Sequence, residues 1–417
     1  MKESARKFAE REAGTQLRLV GLKDLVQREL REFVVSAGMS ALGVLLEEER
    51  TALCGQRYEH QSGRRAHRGG HVPGELVMGG RRVSVKRPRA RSVDGDELRL
   101  PSWEEFSLVD PLHERALTQM IVGVSTRKYE RSLEPVAATV KTRGTSKSTV
   151  SRRFIEITEE QMRELFQRRL DELDLIAIML DGVNIAEHVI VVALGVDTNG
   201  QKHVLGIREG ATENAATCTA LLTDLRSRGM STDKTTLFVL DGGKALRKAV
   251  VDVFGERAKI QRCQAHKLRN VLDQLPDYMR PTVKSTMQQA YACNNVVHAR
   301  KLLQNLSRTL GKDHPSAAGS LDEGLEETLT VMAMRLSKPL ERFLSTTNAV
   351  ENLIGSVRDI GHCVKRWRDA DMIVRWTATA VLEAGSKFRR ISGYKDVPNL
   401  VRVLRGHETI ALEQNIA

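Results

Sequence analysis

The chain predicts an α/β fold: a sheet core carrying a helical insertion, preceded by a helical region and a basic β-rich segment. Three observations carry this. From Leu173 the apolar periodicity changes from helical to strand-like, with unbroken apolar runs at Leu175–Leu180 and Val189–Val196, as strands covered on both faces require. Strand and helix patterns then alternate as far as Arg262. Residues 277–340 revert to helix formers, as in Val283–Ala290 and Leu325–Leu329.

Composition bounds the rest. A chain of 417 residues suits two or three domains, and its 41% hydrophobic content can fill a core. A net charge of +12 points to a polyanionic partner, nucleic acid above all. Five cysteines, scattered and odd in number, argue for a reducing compartment and against a disulfide scaffold. The stretch from Met1 to Arg6 is charged, with no apolar core behind it, and no apolar run approaches a membrane span. A cytoplasmic, nucleoid-associated protein is expected.

The first segment, 1–55, reads as helical: Leu22, Leu25, Val26, Leu30, Phe33 and Val34 recur at helical spacing between residues 15 and 50. Its role is packing, dimerisation or DNA contact. The second, 56–105, is punctuated by glycines; Val83–Arg91 and Glu97–Leu100 read as strands of a hairpin. Arg87, Arg89 and Arg91 belong to a basic cluster with few acids, as a phosphate-tracking surface requires. Cys54, His60, His67 and His71 fit no standard zinc-finger spacing. The third, 106–172, reads as consecutive helices, with Ser125 capping one of them. The turn Arg143–Ser146 leads into a long helix running through Leu165. Lys147, Ser148, Thr149, Arg152 and Arg153 crowd the start of that helix, the pattern of a DNA-reading helix-turn-helix. A structural three-helix bundle is the other reading.

The core spans 173–276 and 341–392, with 277–340 as the all-helical insertion and 393–417 as a tail. Three meandering strands (Leu175–Leu180, Val189–Val196, His203–Ile207) are followed by helix 214–229, the strand before Asp241, helix Lys244–Phe254 and a fifth strand, Lys259–Arg262. This order is that of a ribonuclease-H-like layout. Asp181 and Asp241 each close an apolar run just before a glycine, so both are expected at exposed strand ends. Glu351 lies in the amphipathic stretch Asn348–Ile354, 110 positions beyond Asp241, and must arrive on a later helix. Three converging carboxylates repel one another and need divalent cations to offset the charge.

Further residues carry a resemblance. Gln261–Leu272, containing Cys263 and His266 in a Cys-x-x-His element, resembles that element in the mutator-type bacterial insertion-sequence transposases. Leu180–Val183, Asp241–Leu246, Thr346–Asn352, Lys365–Ala370 and Arg375–Ala378 resemble the same family in order, over about 55–395. Arg358, seven residues after Glu351, matches its basic residue on the same helix face. One departure is Cys218, near which relatives often carry an aromatic.

The resemblance implies a metal-binding catalytic triad of Asp181, Asp241 and Glu351, cleavage at terminal inverted repeats, and strand transfer into target DNA. Two Mg²⁺ ions, replaceable by Mn²⁺, would lie about 3.5–4 Å apart, bridged by Asp181. Cys263 and His266 are auxiliary: half a zinc site at most, or a structural pair orienting the loop beside the acids, with His266 near the scissile phosphate. Lys267 and Arg269 are expected to contact phosphates. Holding two double-stranded ends implies a homodimer or larger. A helix-turn-helix regulator without catalysis and a ribonuclease-H-like nuclease are the competing functions.

Overall fold

The computed structural model describes residues 33, 35–58, 63, 65–78, 80–108, 112–133, 136, 140–143, 146–210, 214–362 and 364–414. The expected helix before residue 33, His60 and the Gly144–Thr145 turn lie outside them. The chain divides into two compact units, Met1–Ile157 and Thr158–Ala417.

The first unit contains helix α1 (35–54), strands β1 (Ala66–Met78), β2 (Arg81–Ser92) and β3 (Glu97–Leu98), helices α2 (Pro101–Leu108) and α3 (Leu112–Ile121), strand β4 (Thr142–Arg143), and the start of helix α4 (Lys147–Gln167). β2 was legible, but its principal partner is β1, paired antiparallel from Ala66↔Ser92 to Met78↔Arg81. The expected partner, Glu97–Leu98, adds two residues on the other side. Gly69, Gly70 and Gly74 read as turn punctuation inside β1. The hairpin absorbs the first two at a register shift between Gly69 and His71, as a bulge does. Leu42, Leu46, Leu76 and Leu100 close the core between α1 and the hairpin. Cys54 is buried with Ala66 and Ala90 in a small apolar cluster.

Two helical expectations fail here. Residues 126–129 are turns and Glu130–Ser132 is a single 3₁₀ turn, so Ser125 caps no α-helix. Thr142–Arg143 is a strand pairing with β2 at Val83↔Thr142 and Arg82↔Arg143. Among the described residues, a strand and not a helix stands before the turn into α4, unlike the expected helix-turn-helix. The backbone at Lys141 prefers ladder partners: its carbonyl accepts from the Ser84 N–H at 3.0 Å. α4 itself begins at Lys147 as expected, with the Ser146 hydroxyl accepting from the Thr149 N–H at 3.3 Å, as an N-cap does.

The second unit is built on β5 (Leu175–Ile185), β6 (His188–Asp197), β7 (Lys202–Gly210), β8 (Thr236–Leu240) and β9 (Ala258–Arg262), in the order β7-β6-β5-β8-β9. β5, β6 and β7 form the antiparallel meander; β8 joins β5, and β9 joins β8, in parallel. Helix α5 (Ala215–Ser227), with Asn214 as its N-cap, and α6 (Lys244–Phe254) supply the crossovers. They cover one face with a core that includes Ile178, Leu180, Val191, Leu221, Leu225, Phe238 and Val250. Cys218 is fully inside that core. Side chains alternate along a strand, so Met179 and Asp181 point to the opposite face.

After β9 every regular element is helical: α7 (Gln264–Asp273), α8 (Arg280–Ala292), α9 (Val296–Asp313), α10 (Pro315–Asp322), α11 (Thr330–Ala333), α12 (Lys338–Leu344), α13 (Asn348–Gly361), α14 (Ala370–Ser386) and α15 (Val397–Gln414). α7 to α10 share a second core through Val271, Met287, Leu303, Leu310 and Leu321. α13 packs on β5 and β6, and α14 on β7, covering the face toward which Asp181 points. No helix among the described residues is long and apolar enough to cross a membrane.

Candidate metal centre

Asp181 departs from expectation. The apolar run stops at Leu180, but the strand continues, because Val183 and Ile185 remain buried in alternation. Asp181 thus sits inside the central strand, 5% exposed, not at an open strand end. One carboxylate oxygen accepts from the Gly182 N–H at 2.9 Å. Burial, and then the nearby Asp241 and Glu351 carboxylates, push its carboxyl up to about 7 against the lowering effect of His266.

Asp241 follows β8 directly, as expected. Leu180 pairs with Leu240 in the parallel register, so Asp181 and Asp241 occupy adjacent positions on neighbouring strands. The Gly243 N–H donates to Asp241 Oδ1 at 2.8 Å, bending the chain into α6. Gly242 takes φ +106°, and a Cβ there would fall 2.3 Å from Arg262 Nε, so only glycine lets this turn close.

Glu351 stands in the first turn of α13, where the helix dipole favours negative charge. Its Oε1 lies 3.4 Å from His266 Nε2 and 3.9 Å from the Arg269 guanidinium. A ring nitrogen of His266 and carboxylate oxygens of Asp181 and Glu351 all lie within 4.8 Å of one another. Asp241 lies outside that trio. The sequence assigned His266 an auxiliary place; the structure puts it between the first and third acids.

Cys263 explains how these elements meet. Its backbone N–H donates to Leu240 O at 2.7 Å, tying α7 to the end of β8. Its sulfur accepts from the Thr347 N–H at 3.3 Å and from the Thr347 hydroxyl at 3.4 Å, tying the same point to the start of α13. Thr347 Oγ1 also lies 3.3 Å from His266 Nδ1. Despite full burial, hydrogen bonds from His266 and Thr347 draw the Cys263 thiol below its usual range. The same Cys263 contact, then the charges of Asp181 and Glu351, raise His266 to about 9. An imidazolium therefore supplies positive charge between two carboxylates at neutral pH. Cys263 is not in the metal-ligand trio.

The remaining expected residues divide. Lys267 is not a phosphate contact: it is 0% exposed, and its Nζ donates to the carbonyls of Ser320 and Glu323, both at 2.5 Å. The sequence showed a cation beside the site but not its rotation into the α7–α10 core. Arg269, one turn on from His266, is exposed beside Glu351. Arg358 is exposed two turns along α13 from Glu351. In the first unit, Arg87 and Arg89 both pair with Glu97, Arg89 at 2.7 Å, while Arg91 is exposed. Arg89, with Arg87 and Arg91, holds the Glu97 carboxyl below its ordinary value. At the start of α4, Lys147, Ser148 and Arg152 are exposed, Thr149 is half-buried, and Arg153 pairs with Glu156 at 2.8 Å.

Comparison with known proteins agrees with the resemblance carried by these motifs. The chain is 25% identical over 398 residues to the transposase for insertion sequence element ISRM5 of Rhizobium meliloti (strain 1021), covering 92% of this chain and 94% of that protein. It is 26% identical to the transposase of IS1081 from Mycobacterium tuberculosis, over 89% of this chain and 90% of the relative. It is likewise 26% identical to the transposase of IS256 in transposon Tn4001 from Staphylococcus aureus, over 75% and 80%. The sequence model described as "Transposase, Mutator family" matches residues 12–390. The chain belongs to the Mutator family of transposases.

Proposed function

We propose that this protein binds the terminal inverted repeats of an insertion sequence, nicks the 3′ ends and joins them to target DNA. Asp181, Asp241 and Glu351 act as a divalent-metal triad. One observation carries the reading: Asp181 from β5 and Glu351 from α13 bring carboxylate oxygens within 4.8 Å of each other and of a His266 ring nitrogen, and the register of β5 with β8 sets Asp241 beside Asp181. The strand order and the helical run before α13 support a ribonuclease-H-like core with α8 to α12 inserted.

The donor set suits a hard cation. Carboxylate oxygens dominate it, and burial, with Asp241 and Glu351 adding to it against His266, pushes Asp181 up, so a cation bound there would favour its charged form. Bound there, Mg²⁺, or Mn²⁺ in its place, supplies a nucleophilic water at neutral pH and offsets charge developing on the phosphate. Asp181 and Asp241 hold their positions from adjacent strands, and Glu351 completes the set from α13. His266, carrying a proton, and Arg269 present positive charge to a phosphate entering beside Glu351. Cys263 and Thr347 keep His266 in place. The reading includes a homodimer or larger assembly, since two ends must be held together.

The test is incubation of a labelled duplex spanning one element terminus with the protein in Mg²⁺. A nick at the boundary, lost in EDTA, and joined products with a target plasmid are expected. Binding without cleavage would favour the regulator; cleavage without joining would favour a nuclease. For end binding, Arg152→Glu is expected to weaken affinity about 10-fold or more. Arg153→Glu should weaken it less, because Glu156 already occupies that guanidinium. A gel-shift titration unchanged by Arg152→Glu would remove α4 from the DNA contact surface.

A further inference from the structure

α13 carries Glu351 at one end, and one stripe on its less buried side runs from it to the other, half-buried at Glu351 and Gly355 and exposed at Arg358 and His362. Steps of four, three and four residues stay on one helix face, so 351, 355, 358 and 362 form a line. Val350, Leu353, Ile354, Val357 and Ile360 take the buried side. Gly355, half-buried, lies in the middle of that line. A glycine inside a helix costs about 0.5–1 kcal/mol relative to alanine. Nothing in the fold asks for one here. A Cβ at 355 would meet no atom within 4 Å, and the residue is not at positive φ. Close approach of another molecule's backbone is the remaining physical use of such a position.

The line then becomes basic. Arg358 is exposed, and beyond α13 the connection to α14 carries exposed Lys365, Arg366 and Arg368. None of the four is ion-paired among the described residues. The connection is anchored, because Trp367 meets the Trp376 ring edge-on, centroids 6.2 Å apart, and also packs beside Gly361. Asp359 is the opposing charge along the way. Asp369 is engaged in capping α14, accepting from the Met372 N–H at 2.7 Å.

We infer that this stripe holds the sugar–phosphate backbone of duplex DNA leading away from the cleavage position. Gly355 admits the strand against the helix, and Arg358, Lys365, Arg366 and Arg368 neutralise its phosphates. The inference rests on the proposed placement of Glu351 at the cleavage site. From Glu351 to His362 the helix rises about 16 Å, roughly five base-pair steps of duplex at 3.4 Å each. Contact with phosphates alone makes the stripe indifferent to sequence.

The test uses the full chain, with one duplex carrying an element terminus and a second of scrambled sequence. In the variant combining Lys365→Gln, Arg366→Gln and Arg368→Gln, the slope of log affinity against log salt should become shallower by about two to three on both duplexes, at about 0.9 per phosphate contact. Gly355→Gln should melt no lower than the parent, because glutamine favours a helix more than glycine does. It should still lose nicking at least 10-fold. A parental salt slope in the triple variant, or parental nicking by Gly355→Gln, overturns the stripe. If the stripe fails while Asp181→Asn abolishes nicking, the catalytic reading survives it. If Asp181→Asn nicks normally, that reading falls, and the salt slope alone decides the stripe.

Discussion

Asp181→Asn is expected to abolish nicking of end DNA, by at least about 10²–10³-fold, while making the metal-free protein more stable at pH 8. The second effect is the more diagnostic, because loss of activity alone accompanies many lesions. In the unfolded chain this carboxyl ionises near 3.8, whereas in the fold it keeps its proton up to about 7. The folded state therefore binds more protons across that interval. Stability is fully present below about 4 and declines as pH rises toward 7. Asparagine cannot ionise, so the variant should lack this one contribution to the pH dependence, and the parent should fall relative to it by an amount of the order of 2–4 kcal/mol across the window. Mg²⁺ or Mn²⁺ should then reverse the ranking at pH 8, since a ligand that binds only the folded state raises its stability. The parent should gain in melting temperature and the variant should gain far less. Thermal denaturation at pH 4.5, 6 and 8, with and without Mn²⁺, checks each part. Equal metal-induced shifts in parent and variant would remove Asp181 from the metal centre.

The sheet was legible because its chemistry is local. Unbroken apolar runs can satisfy burial only as covered strands, and the β5–β9 order follows from where those runs and the α5 and α6 patterns fall. The end of β5 was not legible. Hydrophobicity stops at Leu180, while the ladder goes on to Ile185 because β6 offers partners as far as His188. That error placed Asp181 in solvent, when its burial is what perturbs it. The hairpin strand β1 was hidden by glycines that a turn and a bulged strand use alike. The strand before α4 was hidden for a tertiary reason: β2 recruits Thr142–Arg143 from far along the chain, and no local propensity reports that. Within the site, the place of Asp241 at the end of β8 and of Glu351 on a later helix could be read. The proximity of His266 could not, because it depends on Cys263 bonding to Leu240 on one side and Thr347 on the other.

Lys267 is where sequence and structure part most sharply, and Lys267→Met is the second large effect expected. In sequence it is one more cation beside a polyanion site. In the fold its ammonium is enclosed, donating to Ser320 and Glu323 at the C-terminal end of α10. There it meets carbonyls that the helix leaves without partners. Burial, and then the nearby Arg262, press it down to about 8, against the raising influence of Glu323 and Glu327. Methionine fills the space of the stem but leaves those carbonyls buried without a donor. A loss of about 2–4 kcal/mol is expected, since hydrogen bonds from a charged donor contribute about 1.5–3 kcal/mol each and desolvation of the cation returns part of that. The salt dependence of DNA binding should not change, because no phosphate contact is removed. Arg269→Gln makes the opposite pair of outcomes: exposed beside Glu351, it should leave the urea midpoint where it was and weaken nicking. A Lys267→Met protein with parental stability and a shallower salt slope would return this lysine to the DNA surface and leave the α7–α10 packing without its polar tie.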